Sequence, residues 1–167
     1  MSTLASSLPA APHEVPCDRS LDSLAPKFRA GVEAVLAGMR ARGLDAMVAE
    51  TLRTPERQAY LYGFGREYDD GRGIVTQAPT AYTSWHGFGL ACDIVSRALQ
   101  WDAPAEFWTA LGAEARAAGL SWGGDWRQRD LPHVQFGPPM RVSPSSRALE
   151  LYEQGGLKAV WLEVSAC

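Results

Sequence analysis

The strongest constraint on this chain lies in two segments that any fold must bring together. Ser84-Trp85-His86-Gly87-Phe88-Gly89-Leu90-Ala91-Cys92-Asp93 carries an imidazole and a carboxylate, and Asp130-Leu131-Pro132-His133-Val134-Gln135-Phe136 carries a second pair. His86, Asp93 and His133 offer the imidazole nitrogens and carboxylate oxygen that zinc accepts. Three protein ligands with one open position make a catalytic site, whereas a structural site closes all four. Asp130, three residues before His133, is a spare carboxylate suited to take a proton from a metal-activated water. The residues themselves point to a hydrolase holding one Zn2+ ion.

Each residue also has an ordinary reading. His86 alone is a loop residue, His133 a hydrogen-bonded core histidine, and Asp93 a salt-bridge partner. Taken together they are harder to explain that way, because Gly87 and Gly89 flank His86 and Pro132 stiffens the step from Asp130 to His133. Glycine permits close backbone approach to a ligand. The only other histidine, His13, lies in a Ser/Ala/Pro-rich stretch and is expected to be solvated. Ser84 is a candidate to contact substrate or support the site, with simple turn chemistry as the alternative.

The 167 residues suit one domain with a real core. A net charge of -3 gives no electrostatic case for nucleic acid or an anionic membrane. No apolar run approaches the ~18 residues that would span a bilayer. Three widely spaced cysteines, Cys17, Cys92 and Cys167, form no disulfide framework or C-x-x-C pair. Cys92, next to Asp93, is either a soft ligand or a small residue packed beneath the site, and strand alternation favours the second.

Residues 1–19 read as a flexible arm, 20–140 as the catalytic domain, and 141–167 as an extension packed on it. Apolar periodicity predicts a helix from Ser23 to Arg42, stopped by Gly43. A short strand follows over Leu44–Thr51. Thr54 as cap and Pro55 at the first position open a helix reaching about Gly65. Residues 66–83 form a long loop with room to cover a substrate. Strands are predicted over Gly89–Val95 and His133–Phe136, a helix over Pro104–Ala118, a turn at Gly123-Gly124, and a helix near Ser146–Gln154 followed by an apolar segment over Leu157–Val164.

The S-x-H-x-x-G-x-A-x-D pattern from Ser84 to Asp93, with D-x-P-H-x-Q from Asp130 to Gln135, resembles the zinc peptidases of the VanY and D-alanyl-D-alanine carboxypeptidase superfamily. The resemblance is nearest to the L-alanyl-D-glutamate endopeptidases of phage endolysins. It runs from Leu21 to Phe136 and includes Arg53-Thr-x-Glu-Arg-Gln58 and Trp122-Gly-Gly-Asp-Trp126. It implies an α+β fold of the hedgehog and D-Ala-D-Ala peptidase type, a small, mainly antiparallel sheet with packed helices. It also implies zinc on His86, Asp93 and His133 with Asp130 as catalytic base.

The same likeness suggests Arg53 as an oxyanion or substrate-carboxylate group. Trp122, Trp126, Trp85 and Phe88 are candidate cleft aromatics, with packing in the core as the commoner role for such rings. The expected activity is cleavage of the L-alanyl-D-glutamate bond in the peptidoglycan stem peptide. The alternatives are a D,D-carboxypeptidase or dipeptidase on the same scaffold, and a non-catalytic zinc-containing wall-binding module. Met1–Pro16 lacks the basic start and apolar stretch of a signal peptide. The expectation is therefore a monomer made in the cytoplasm, which binds no nucleic acid, does not insert into membranes, and reaches the wall through a separate membrane-permeabilising protein.

Overall fold

The first long helix, α1 (Pro26–Ala41), follows from its sequence spacing. Pro26 occupies the first turn, and Phe28, Val32, Val35 and Met39 form one buried face. Gly43, at φ 76°, takes the left-handed conformation that ends it. The computed structural model describes residues 8–137 and 142–165. After α1 come β1 (Ala46–Glu50), α2 (Pro55–Gly63), β2 (Ala91–Ser96), α3 (Ala105–Ala117), β3 (Ser121–Trp122), β4 (His133–Gln135) and α4 (Ser146–Ser165). Thr54 caps α2 as its residue type predicts, its hydroxyl accepting the Arg57 amide at 3.1 Å.

The four strands form one sheet in the order β1-β2-β4-β3, with every pairing antiparallel. This is the α+β architecture that the sequence predicts. Helices α1 and α3 pack on each other and on the sheet. The central strand β2 is buried along its whole length. Cys92 and Ile94 are fully buried and point away from the face that carries Asp93. Cys92 is thus core rather than ligand, and burial raises its thiol well above the ordinary range.

Register places the site. Asp93 stands opposite Glu50 on β1 and opposite His133 on β4, with an irregularity in β1 between Val48 and Glu50. Two features escape periodicity arguments. Strand β3 has only two residues, too few to alternate, and His86 sits on a short 3-10 turn, Trp85–Phe88.

The described part of the predicted flexible arm is held in place, which corrects that expectation. The Thr51 amide donates to the Asp18 carbonyl at 2.7 Å, and the Asp69 amide to the Pro9 carbonyl at 3.0 Å. Ala11 and Val15 pack beside Tyr60, Leu61 and Phe64. An aperiodic, proline-containing segment forms no helix or strand, yet its carbonyls still accept hydrogen bonds and its small apolar groups still pack.

Helix α4 is two helical segments joined at Gly155 and Gly156, where the backbone leaves helical geometry. Its Trp161 indole N–H donates to the Phe88 carbonyl at 2.7 Å, and Tyr152 packs on Tyr82 and Phe88. Among the described residues no helix is long and apolar enough to cross a membrane. Cys17 and Cys92 are free, and Cys167 lies outside the described residues.

Candidate metal centre

Three separate pieces of chain bring the ligand candidates together. Strands β2 and β4 supply Asp93 and His133 as cross-strand partners. The Trp85–Phe88 turn supplies His86. Ser84 caps that turn, its hydroxyl accepting the His86 amide at 3.3 Å, and Gly89 closes it at φ 66°. Gly87 has a packing reason: a Cβ there would lie 2.0 Å from the Ala81 carbonyl oxygen. The glycines beside His86 therefore serve approach of backbone to backbone, where the sequence suggests approach to a ligand.

One donor atom from each of His86, Asp93 and His133 lies within 4.8 Å of the other two, and all three residues are buried. The hydrogen bonds around them leave these donors open. His86 Nδ1 lies 2.8 Å from the Thr51 carbonyl, which can only accept, so this nitrogen carries the proton and Nε2 keeps its lone pair. Nε2 is buried, has no hydrogen-bond partner, and lies 3.5 Å from Asp93 Oδ1. His133 is oriented the same way: Nε2 pairs with Gln135 Oε1 at 3.0 Å, and Nδ1 lies 3.7 Å from Asp93 Oδ1. Two imidazole lone pairs and one carboxylate oxygen thus converge without satisfying each other. A buried, unpartnered nitrogen is costly in a closed protein and expected in a metal site. The donor set fits one zinc ion.

Charge agrees with that fit. Burial pushes the His133 imidazole down to about 4, with the neighbouring His86 acting in the same direction. It is therefore neutral, as a ligand must be. Burial pushes the Asp93 carboxyl upward, but His86 and the Arg53 guanidinium outweigh it and hold the group below the ordinary carboxylate range.

Arg53 lies between β1 and α2, where Nη2 donates to Asp93 Oδ2 at 2.9 Å and Nε to Glu50 Oε2 at 2.7 Å. Its guanidinium thus contacts a ligand carboxylate, and the residue also lines the cleft. Glu50 is equally committed, its other oxygen accepting Arg57 Nε at 2.7 Å. Gln58 is fully buried, gives its amide to the Ala78 carbonyl at 2.7 Å, and ties the 66–83 loop to α2.

Asp130 stands beside the triad. The His133 amide donates to the Asp130 carbonyl at 3.2 Å, and the Asp130 amide to the Gly123 carbonyl at 3.0 Å. A Cβ on Gly123 would sit 2.3 Å from the Asp130 carbonyl, so this glycine seats the turn. Asp130 Oδ2 is 3.9 Å from His133 Nδ1, and its side chain is half exposed. Desolvation, then the charge of Asp93, raises its carboxyl to about 6.

The triad opens into a cleft of about 1030 Å3. Ser84, Trp85, Trp126 and Asp130 line it, as do Ile74 to Ala78 of the long loop. The Trp126 ring lies 4.9 Å from that of His133, tilted by 51°. Trp122 does not reach the cleft, which corrects the expectation for this residue. It is 9% exposed, belongs to the main core, and donates to the Leu131 carbonyl at 2.7 Å. Phe88 is likewise core.

The family model described as D-alanyl-D-alanine carboxypeptidase matches residues 77–136, the stretch that holds His86, Asp93, Asp130 and His133. Over that stretch the chain is similar to the D-alanyl-D-alanine carboxypeptidase family. The chain is 29% identical over 127 residues to the peptidoglycan L-alanyl-D-glutamate endopeptidase CwlK of Bacillus subtilis, covering 69% of this chain and 74% of CwlK. It is also 29% identical over 122 residues to the L-alanyl-D-glutamate peptidase of Listeria phage A118, covering 70% of this chain and 39% of the phage protein. The fold is similar to that in the crystal structure of the Serratia marcescens L-Ala D-Glu endopeptidase ChiX. That match has 26% identity and a TM-score of 0.50, over 74% of this chain and 91% of ChiX.

Proposed function

We propose that this protein is a zinc-dependent peptidoglycan endopeptidase that hydrolyses the L-alanyl-D-glutamate bond of the stem peptide. One observation carries the reading: His86, Asp93 and His133 turn unsatisfied donor atoms toward each other, with the Asp130 carboxylate at their side. Three relatives whose names specify the L-alanyl-D-glutamate bond support the choice of bond.

A zinc ion held by His86, Asp93 and His133 would supply Lewis acidity, polarising a scissile carbonyl and making water acidic enough to attack near neutral pH. Asp130 takes the proton of the attacking water and returns it to the leaving amine. Arg53 holds Asp93 in place. Trp126 and Ser84 contact the bound peptide, and the 66–83 loop walls the cleft around it. The protein acts as a monomer in the manner of a phage endolysin, binds no nucleic acid, and reaches the wall after a separate protein has opened the membrane.

The description of the matching family favours one competing reading, a D,D-carboxypeptidase. Mass spectrometry of purified muropeptides, digested with zinc-loaded and chelated protein, separates the two. Zinc-dependent fragments with a new D-Glu amino terminus are expected. Release of free D-Ala moves the protein to the carboxypeptidase branch, and no product from any wall type leaves a non-catalytic binding module.

A further inference from the structure

Beside the metal centre, Glu50 and Arg57 line the same cleft, and the proposed reaction uses neither. Glu50 ends β1, stands opposite Asp93 in register, and is 6% exposed. Its two oxygens are divided between two arginines: Oε2 accepts Arg53 Nε at 2.7 Å, and Oε1 accepts Arg57 Nε at 2.7 Å. Arg53 continues to Asp93 Oδ2 at 2.9 Å. Arg57 continues outward, its Nη1 donating to the Val15 carbonyl at 2.6 Å. The result is a chain of four alternating charges running from the N-terminal segment to the metal-facing carboxylate, and both guanidiniums are nearly buried.

Stability alone explains such a chain poorly. Removing two carboxylates and two guanidiniums from water costs roughly what their attraction returns. Its position is more telling. Asp93 has two oxygens, and the two imidazoles face only Oδ1. A guanidinium free to rotate in its plane can grip both oxygens of a carboxylate at once, which would take Oδ1 away from the imidazoles. With its Nε fixed on Glu50, Arg53 meets Asp93 through Nη2 at Oδ2. Charge adds to this geometry, because Glu50 and Asp93 balance Arg53 and Arg57. Without Glu50, Arg57 would keep only the exposed Glu14 at 3.5 Å, leaving excess buried positive charge beside the site for a dication.

We propose that Glu50 is a positioning residue for the metal centre. It divides its carboxylate between Arg53 and Arg57, so that Arg53 occupies Asp93 Oδ2 and leaves Oδ1 to face His86 and His133. The inference rests on the reading of the triad as a zinc site and is independent of which bond is cut.

The test is zinc affinity, measured on the full chain by competition with a chromophoric chelator. Outer partners of metal ligands are typically worth about 10–100-fold in affinity. Glu50→Gln keeps shape and loses charge, and its zinc Kd should rise at least about tenfold within that range. Glu50→Asp, too short to reach both arginines, should show a smaller loss. Adding Arg57→Met to Glu50→Gln should recover part of the affinity by removing the cation that lost its buried partner. Thermal unfolding of the chelated variants runs in parallel, since a merely structural role would lower Tm and leave Kd unchanged. Wild-type Kd in both folded single variants overturns the proposal. A wild-type protein that binds no zinc overturns the site reading along with it.

Discussion

His133 and Gln135, two residues apart on β4, share a 3.0 Å hydrogen bond that decides which imidazole nitrogen faces Asp93. Strand alternation puts both side chains on one face of the sheet, so the amide oxygen lies where it can hold the ring. With Nε2–H given to Gln135, the lone pair is on Nδ1. The Thr51 carbonyl does the reverse for His86, holding Nδ1–H and freeing Nε2. Each imidazole thus has its tautomer set by a neighbour, Gln135 on its own strand for His133 and the Thr51 carbonyl just beyond β1 for His86.

Gln135→Leu preserves bulk and removes that acceptor. Zinc affinity should fall by about 10–100-fold while the fold is kept. Chelator competition reads the loss, and an unchanged Kd would show that the His133 ring is held by packing alone.

Asp130→Asn should separate metal binding from turnover. Asp130 is not one of the three converging donors, so zinc content should stay at wild-type level. Turnover should drop by about 10²–10⁴-fold, the usual contribution of a general acid–base group. Metal analysis and muropeptide digestion on the same preparation check both parts, and full activity would remove Asp130 from the mechanism.

In the chelated protein, His133 and Asp130 pull stability in opposite directions with pH. The His133 imidazole is lowered from 6.5 to about 4, so its contribution is complete above 6.5 and is lost as pH falls toward 4. The Asp130 carboxyl is raised from 3.8 to about 6, so its contribution is present below 3.8 and lost as pH rises through 6. Between pH 4 and 6 the two oppose each other. Asp130→Asn removes one of them, and the urea midpoint of the chelated variant should fall more steeply on acidification than that of the chelated wild type. Parallel curves would mean that Asp130 is not raised.

The tryptophans of the Trp122–Trp126 stretch should behave differently. Trp122→Ala opens a hole in the main core and should destabilise the protein by about 3–5 kcal/mol. Trp126→Ala, at the cleft wall, should leave Tm nearly unchanged and raise KM for muropeptides. Denaturation and steady-state kinetics on both variants test the contrast, and equal destabilisation would place Trp126 in the core.

The elements that carry strong local signals were readable from sequence. The buried face of α1, the Thr54-Pro55 opening of α2 and the strands bearing Asp93 and His133 all occur where their patterns place them. The convergence of His86, Asp93 and His133 was legible from their scarcity and spacing. Glu50 was not, because Glu50, Arg53 and Arg57 straddle the end of a strand and the start of a helix, where neither period applies. Whether Trp122 faced core or cleft was not legible, because nothing local distinguishes an indole bonded to the Leu131 carbonyl from one facing a cleft. The docking of residues 8–18 was invisible too, since it depends on donors from Thr51, Arg57 and Asp69 far along the chain.

The strand order has a consequence for how the centre comes into being. Strand β2 pairs with β1 on one side and β4 on the other, and long stretches of chain separate each pair. Distant pairings of this kind form slowly, because the entropy of loop closure must be overcome before their contacts contribute. A chain still emerging from synthesis offers only His86 and Asp93, with His133 yet to come. Acquisition of the ion is therefore a late event, coupled to completion of the sheet, and an incomplete or unfolded chain would carry no hydrolytic hazard to the cell that makes it.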